Sequence, residues 1–203
     1  FTPTSTNGEL SIARTIAYEG DLINAIQDDL GGTIHPTSFS LSENFTADRN
    51  FGALNTDNRT SFTIFGNNHT ISGNNNTYTG IEVANGQTLN LDNVVFSNVK
   101  TYDVQNAGTL NLSGDNTINT ITGATGTTNI TGGLTTIAAN GSITQNAVNL
   151  QGGRLDVRSA AINKIVASED YSSAYSPSSS EAYGGAIYNY GGTLSSIEGT
   201  FKG

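Results

Sequence analysis

The residues of this chain best suited to chemistry stand in one strand-like run, Arg154-Leu155-Asp156-Val157-Arg158, where two guanidinium groups flank a carboxylate. Period-two alternation puts all three charged side chains on one outward face, where they form either a solvated cross-pair or a cluster able to bind or act on a sugar. Clustered acids with Arg or Lys are the tools of polysaccharide lyases and hydrolases, so the other acids were aligned against this run. Asp92, Asp115 and Asp156 fall at offsets of 3, 5 and 1 from the leucine of each repeating unit and do not stack into one row. His35 and His69 are the only histidines, and neither has the spacing to Asp or Glu of a triad or a metal site. Cysteine is absent, which removes thiol catalysis, disulfides and thiolate metal sites together. The Gly-Gly-x-Gly-x-Asp pattern of calcium-loaded rolls is missing too, so neither a metal nor another cofactor is expected.

The elements that must position these residues are short and repetitive. A glycine turn followed by a brief alternating strand recurs at Gly86–Leu91, Gly108–Leu112, Gly126–Ile130, Gly153–Val157 and Gly192–Ile197. With Leu89, Leu110, Thr128, Leu155 and Leu194 as equivalent positions, the steps are 21, 18, 27 and 39 residues. Such a unit holds two or three apolar side chains on one face, cannot bury a core alone, and must stack on its neighbours. The expected fold is therefore all-β, a right-handed parallel β-helix with a short N-terminal capping helix. The 24 Gly, 28 Thr and 25 Asn suit a coil that turns every few residues and stacks Asn or Thr in ladders. The irregular steps argue against a flat threonine array of the kind that binds ice.

One segment has helical spacing. From Asp21 to Leu30, Asp21 can cap the N-terminus, Leu22, Ile26 and Leu30 form a stripe, and Gly31-Gly32 stops the run. The chain is expected to form one unit: a cap over 10–34, coils over 35–167, an extruded loop over 168–183, and a further coil over 184–203. The cap would cover the open end of the first coil. Phe39, Phe45, Phe51, Phe62 and Phe65 are expected inside the first coils. The loop carries seven Ser between Ser168 and Ser180 together with Tyr171 and Tyr175, a composition typical of adaptable binding surfaces.

Gly184-Gly185-Ala186-Ile187 and Phe65-Gly66-Asn67-Asn68 resemble the two repeat motifs of chlamydial polymorphic membrane proteins and, more broadly, bacterial autotransporter passengers. Phe65 and Asn68 supply the fixed residues of the second motif. The stretch from Asp21 to Ile34 is similar to the N-terminal helix and first strand of pectate-lyase-like β-helix proteins. The resemblance implies a passenger displayed on a Gram-negative outer membrane, with a C-terminal membrane barrel outside this sequence. The start at Phe1 fits a processed piece. The resemblance implies a non-catalytic adhesin that binds a host surface protein or glycan, or other copies of itself; loop composition and the charge cluster make Tyr171, Tyr175, Arg154, Asp156 and Arg158 the candidate binding residues. The alternative is a polysaccharide lyase or hydrolase of the same fold. A net charge of −9 argues against nucleic acid or an anionic membrane as partner.

Overall fold

The computed structural model describes residues 4–6, 9–11, 21–29, 35–55, 59–152, 154–163, 182–183, 188–189 and 193–202. In chain order the elements are β1 (Thr4–Thr6), β2 (Glu9–Ser11), α1 (Asp21–Gln27), β3 (Ser38–Ser40), β4 (Phe45–Thr46), β5 (Gly52–Ala53), β6 (Ser61–Phe65), β7 (Thr70–Ser72), β8 (Thr79–Val83), β9 (Thr88–Asp92) and β10 (Val95–Ser97). They continue with β11 (Lys100–Asn106), β12 (Thr109–Ser113), β13 (Asn116–Thr122), β14 (Thr127–Ile130), β15 (Leu134–Thr144), β16 (Ala147–Leu150), β17 (Arg154–Asn163), β18 (Ala182–Tyr183), β19 (Tyr188–Asn189) and β20 (Thr193–Lys202). Apart from the antiparallel pairs β1/β2 and β18/β19, every pairing is parallel, and the chain winds into a β-solenoid of about five turns.

The winding chain alternates between an eight-stranded sheet ordered β18-β19-β16-β14-β12-β9-β6-β3, whose β18 and β19 pair antiparallel, and a ten-stranded sheet. Alternation turns every second residue of the eight-stranded sheet inward. Two core columns follow from its register. One runs Phe39, Ile64, Leu91, Leu112, Ile130, Leu150, and the other Phe62, Leu89, Leu110, Thr128, Val148. All are buried. Thr128 is the one hydroxyl in these columns, and its Oγ1 donates to the buried Gln145 Oε1 at 3.1 Å, so the polar atom is satisfied.

This register corrects the repeat alignment. The partner of Thr128 is Val148, not Leu155, so the steps along the column are 21, 18 and 20 residues. Leu155 belongs to the other sheet, paired with Thr135 and Leu194. Val148 went unnoticed because Asn146-Ala147 precedes it where the other units carry glycine. With that correction the steps from Leu89 to Val148 are close to twenty, while 27 residues separate Phe62 from Leu89 and 39 separate Asn149 from Tyr188, so unequal steps remain at both ends of the eight-stranded sheet.

The ten-stranded sheet changes character along the solenoid. Early turns cross it with two separate strands, β4 and β5, β7 and β8, β10 and β11; later turns cross it with one long strand, β13, β15, β17 or β20. The change falls at β13, which pairs with both β10 and β11. From Val95 to Val104 the chain takes nine steps, whereas from Thr117 to Ile121 it takes four. The surplus residues must stand out from the turn as a corner.

Helix α1 forms where expected and ends at Gln27, with Asp28 in the left-handed region at φ 57°. Leu22, Ile23, Ala25 and Ile26 are fully buried in the same core cluster as Phe39, Phe45, Phe51 and Leu54 of the first turn. Leu30 lies outside the described residues. The helix's last carbonyls have no partner within the helix, and Arg59 supplies one. Its Nη2 donates to Ala25 O at 2.5 Å and Ile26 O at 2.6 Å, its Nε donates to Asn55 O at 2.8 Å, and its guanidinium lies 4.4 Å from the Phe62 ring centroid. Burial pulls the Arg59 pKa down, opposed by the Asp28 carboxylate. Four of the five early phenylalanines are buried, but Phe65 is 41% exposed, because it ends β6 on the outward side of the alternation.

Candidate functional site: the corner of the third turn

The Arg154–Arg158 run divides once it is placed. Arg154 and Asp156 both lie on β17, but Arg154 is exposed whereas Asp156 retains 4% exposure, so the carboxylate is not part of a solvated cluster. Asp156 stands opposite Thr136 in the register, beside the buried Leu155. The backbone of Arg158 pairs with Glu198 across to β20. Tyr171, Tyr175 and the tetrad Gly184, Gly185, Ala186 and Ile187 lie outside the described residues. Asn68 is an exposed turn residue at φ 64° whose N–H donates to Asn93 O at 3.0 Å, so with Phe65 it shapes the turn leaving β6. His69 follows in the same turn. His35 does have an acidic partner after all: its Nδ1 lies 2.5 Å from Asp28 Oδ2, at a sequence separation of seven. Among the described residues no group of three His, Asp or Glu could hold a metal ion.

The outer face of the eight-stranded sheet is mostly amides and hydroxyls, with the exposed Phe65 and the Asp92 carboxylate as register partners on its far column. Asn90, Asn111, Asn129 and Asn149 occupy one register column and form a ladder of amides. Asn111 Nδ2 donates to Asn90 Oδ1 at 2.8 Å, Asn129 to Asn111 at 2.8 Å, and Asn149 to Asn129 at 2.9 Å, while Asn90 donates to Thr63 Oγ1 at 3.1 Å. Beside it Ser61, Thr88, Thr109 and Thr127 form a hydroxyl column. The expected Asn and Thr stacking is thus present, on the outside of one sheet.

The densest gathering of distinct chemistry lies on the other sheet, at the corner where β10 gives way to β11. Opposite Gly80 alone stand Thr101, Tyr102 and Asp103, because Lys100 pairs with Thr79 and the register resumes only at Val104 and Ile81. Such a bulge re-aims side chains. Only glycine fits at position 80, since a Cβ there would lie 1.9 Å from the Asp103 carbonyl oxygen. Thr101 adopts φ 68°, the only β-branched residue among the described non-glycine residues in the left-handed region.

Asp103 explains how the corner is held. The next turn is much tighter there, so the amides of Asn119 and Thr120 lack a strand beneath them. The Asp103 carboxylate takes the strand's place, accepting from Asn119 N at 2.5 Å and Thr120 N at 3.2 Å. It is 1% exposed, and burial pushes its pKa up to about 6 against the pull of these hydrogen bonds. Tyr102, half-buried, donates its hydroxyl to Glu82 Oε1 at 2.8 Å. Burial raises the Tyr102 pKa, the Glu82 bond adds to that, and a Thr79 hydrogen bond opposes it. Glu82 and Gln105 are register partners on the outer face, in one row with Ala53 and Thr122. Nothing in the local sequence marks this corner: Lys100-Thr101-Tyr102-Asp103 has no motif, and only the mismatch between successive turns buries its aspartate.

Fold and site together define the chain as a parallel β-solenoid with an amide ladder along the outside of one sheet and an irregular corner in the other. No family model, curated protein or solved structure matches it.

Proposed function

We propose that this chain is a non-catalytic surface passenger of the autotransporter kind, carried outside a Gram-negative cell by a membrane barrel elsewhere in its parent, that binds host surface proteins or glycans or other copies of itself. The observation that carries the reading is the amide ladder from Thr63 to Asn149. It ties successive turns through side chains as well as backbone and adds a column of uncharged donors and acceptors to the outer face, suited to a stiff display scaffold with polar contact surface. The fold alone does not choose a function, and the test must be direct. The intact chain is applied to an array of host-matrix proteins and glycans, with sedimentation at rising concentration for self-association. Saturable binding or concentration-dependent association is expected. Cleavage of an acidic polysaccharide, with neither form of association, would sink the proposal and revive the lyase reading.

A further inference from the structure

We infer that the corner formed by Tyr78–Glu82 and Lys100–Gln105 is a binding site for a neutral oligosaccharide. The inference rests on the chain being a binding protein and names the place and the ligand class. Charged residues make up 12% of the chain, yet Glu82, Lys100, Tyr102 and Gln105 meet on two paired strands. Tyr78 packs, partly buried, against the core on the same corner.

The arrangement is preorganised. Gly80 lets the two backbones close up, the buried Asp103 fastens the bulge to the turn above, and Thr101 is held at φ 68° between them. Backbone strain of this kind persists only where its surroundings impose it, and it gathers at sites that bind. The side chain so presented is Tyr102, fixed at its hydroxyl by Glu82. A fixed aromatic loses little conformational entropy when a ligand arrives.

The unused valences indicate the ligand. Tyr102 occupies one oxygen of Glu82; Glu82 Oε2, the Gln105 side-chain amide and the Lys100 ammonium make no hydrogen bond or ion pair among the described residues. A carboxylate oxygen and an amide one rung apart, about 4.8 Å, suit the adjacent hydroxyls of a sugar, and the Tyr102 ring suits the C–H face of the same sugar. The row Glu82, Gln105, Thr122 continues this polar strip along the solenoid axis, so more than one sugar ring can be accommodated. The Glu82 carboxylate and the net charge of −9 disfavour a polyanion.

The test is isothermal titration of the full chain with cellohexaose, chitohexaose and mannohexaose as neutral probes and a heparin hexasaccharide as the polyanion. The variants are Tyr102→Ala, Tyr102→Phe, Glu82→Gln and the double Tyr171→Ala/Tyr175→Ala, each checked by circular dichroism. At least one neutral hexasaccharide is expected to bind, about tenfold more weakly to Tyr102→Ala and Glu82→Gln and unchanged in the Tyr171/Tyr175 double variant. If Tyr102→Ala fails to fold, Glu82→Gln and Tyr102→Phe decide the matter. Neutral binding that ignores all three corner variants overturns the site while leaving the chain a binding protein. Binding of the heparin probe alone overturns the ligand class. Host-matrix binding or self-association without hexasaccharide binding overturns the inference and leaves the proposed function standing; the absence of all three overturns the two together.

Discussion

The eight-stranded sheet and the corner of the third turn are built from the same chain by opposite rules. Across the eight-stranded sheet, from β3 to β16, every pairing keeps its register without a shift, and the outward asparagine column repeats its chemistry from Asn90 to Asn149. In the ten-stranded sheet β8/β11, β13/β15, β15/β17 and β17/β20 all carry shifts, and at the third turn an unshared carboxylate, an aromatic and a strained threonine come together. Repetition spreads stability over many equivalent rungs, so no single residue is decisive there. A corner where successive turns differ in length depends on single residues, and the same dependence fixes side chains in place.

The sharpest way to break the contrast is at a glycine. Gly80→Ala forces a methyl group against the Asp103 carbonyl and should cost about 4 kcal/mol, read as a lower urea midpoint. Gly86→Ala has open space around its Cβ and carries only the penalty of φ 82°, about 1 kcal/mol. Equal losses at the two positions would mean the corner is as tolerant as an ordinary turn.

Asp103 gives the next largest effect and a definite sign. Its folded pKa of about 6 lies above the ordinary 3.8, so between those values the folded state holds more protons than the unfolded state. Stability therefore falls as pH rises from about 4 to about 6, by roughly 3 kcal/mol in total, and this dependence does not extend beyond that window. Asp103→Asn, which keeps an acceptor for the Asn119 and Thr120 amides, should flatten the profile in chemical unfolding from pH 3.5 to 7.5. A variant with the parent's slope would show that other carboxylates set it.

On the regular face the effects are smaller and depend on position within the ladder. Asn111→Ala removes one donated and one accepted amide bond and should cost about 2 kcal/mol; Asn149→Ala removes only the bond it donates to Asn129 and should cost about half as much. Urea titrations of both variants check the ratio. If the two losses are equal, the ladder contributes nothing beyond the packing of each side chain.

How much of this could be read in the sequence follows the same division. Helix α1 is legible because its start at Asp21 and the apolar Leu22 and Ile26 are local signals, although it ends at Gln27, short of the expected Leu30, and the core columns are legible because alternation is local. The fourth rung was misplaced because Gly153-Arg154-Leu155 imitates the unit while Ala147-Val148-Asn149-Leu150 lacks its glycine. Arg59 and Asp103 were invisible for a different reason. Arg59 acts on carbonyls 33 and 34 residues earlier, and Asp103 is buried only because turns of unequal length meet above it. Such roles come from the stacking, not from the neighbours in sequence. The His35–Asp28 pair, seven residues apart, matches no motif in the sequence either.

The smallest effect bears most directly on whether the corner is a place of function. The other non-glycine residues described with positive φ are Asn or Asp, types that tolerate the left-handed region; Thr101 alone is β-branched. It is exposed, and among the described residues no hydrogen bond of its side chain accounts for its conformation. Thr101→Gly should therefore stabilise the fold by about 1 kcal/mol, the relief of left-handed strain exceeding the added entropy of the unfolded chain. In thermal unfolding the midpoint rises. If sugar binding by Tyr102 and Glu82 uses this rigidity, the more stable variant should bind more weakly, because the glycine lets the bulge sample other shapes. A rise in stability with affinity unchanged would mean that Asp103 and Gly80 alone hold the corner, and that the threonine is strained without consequence for binding.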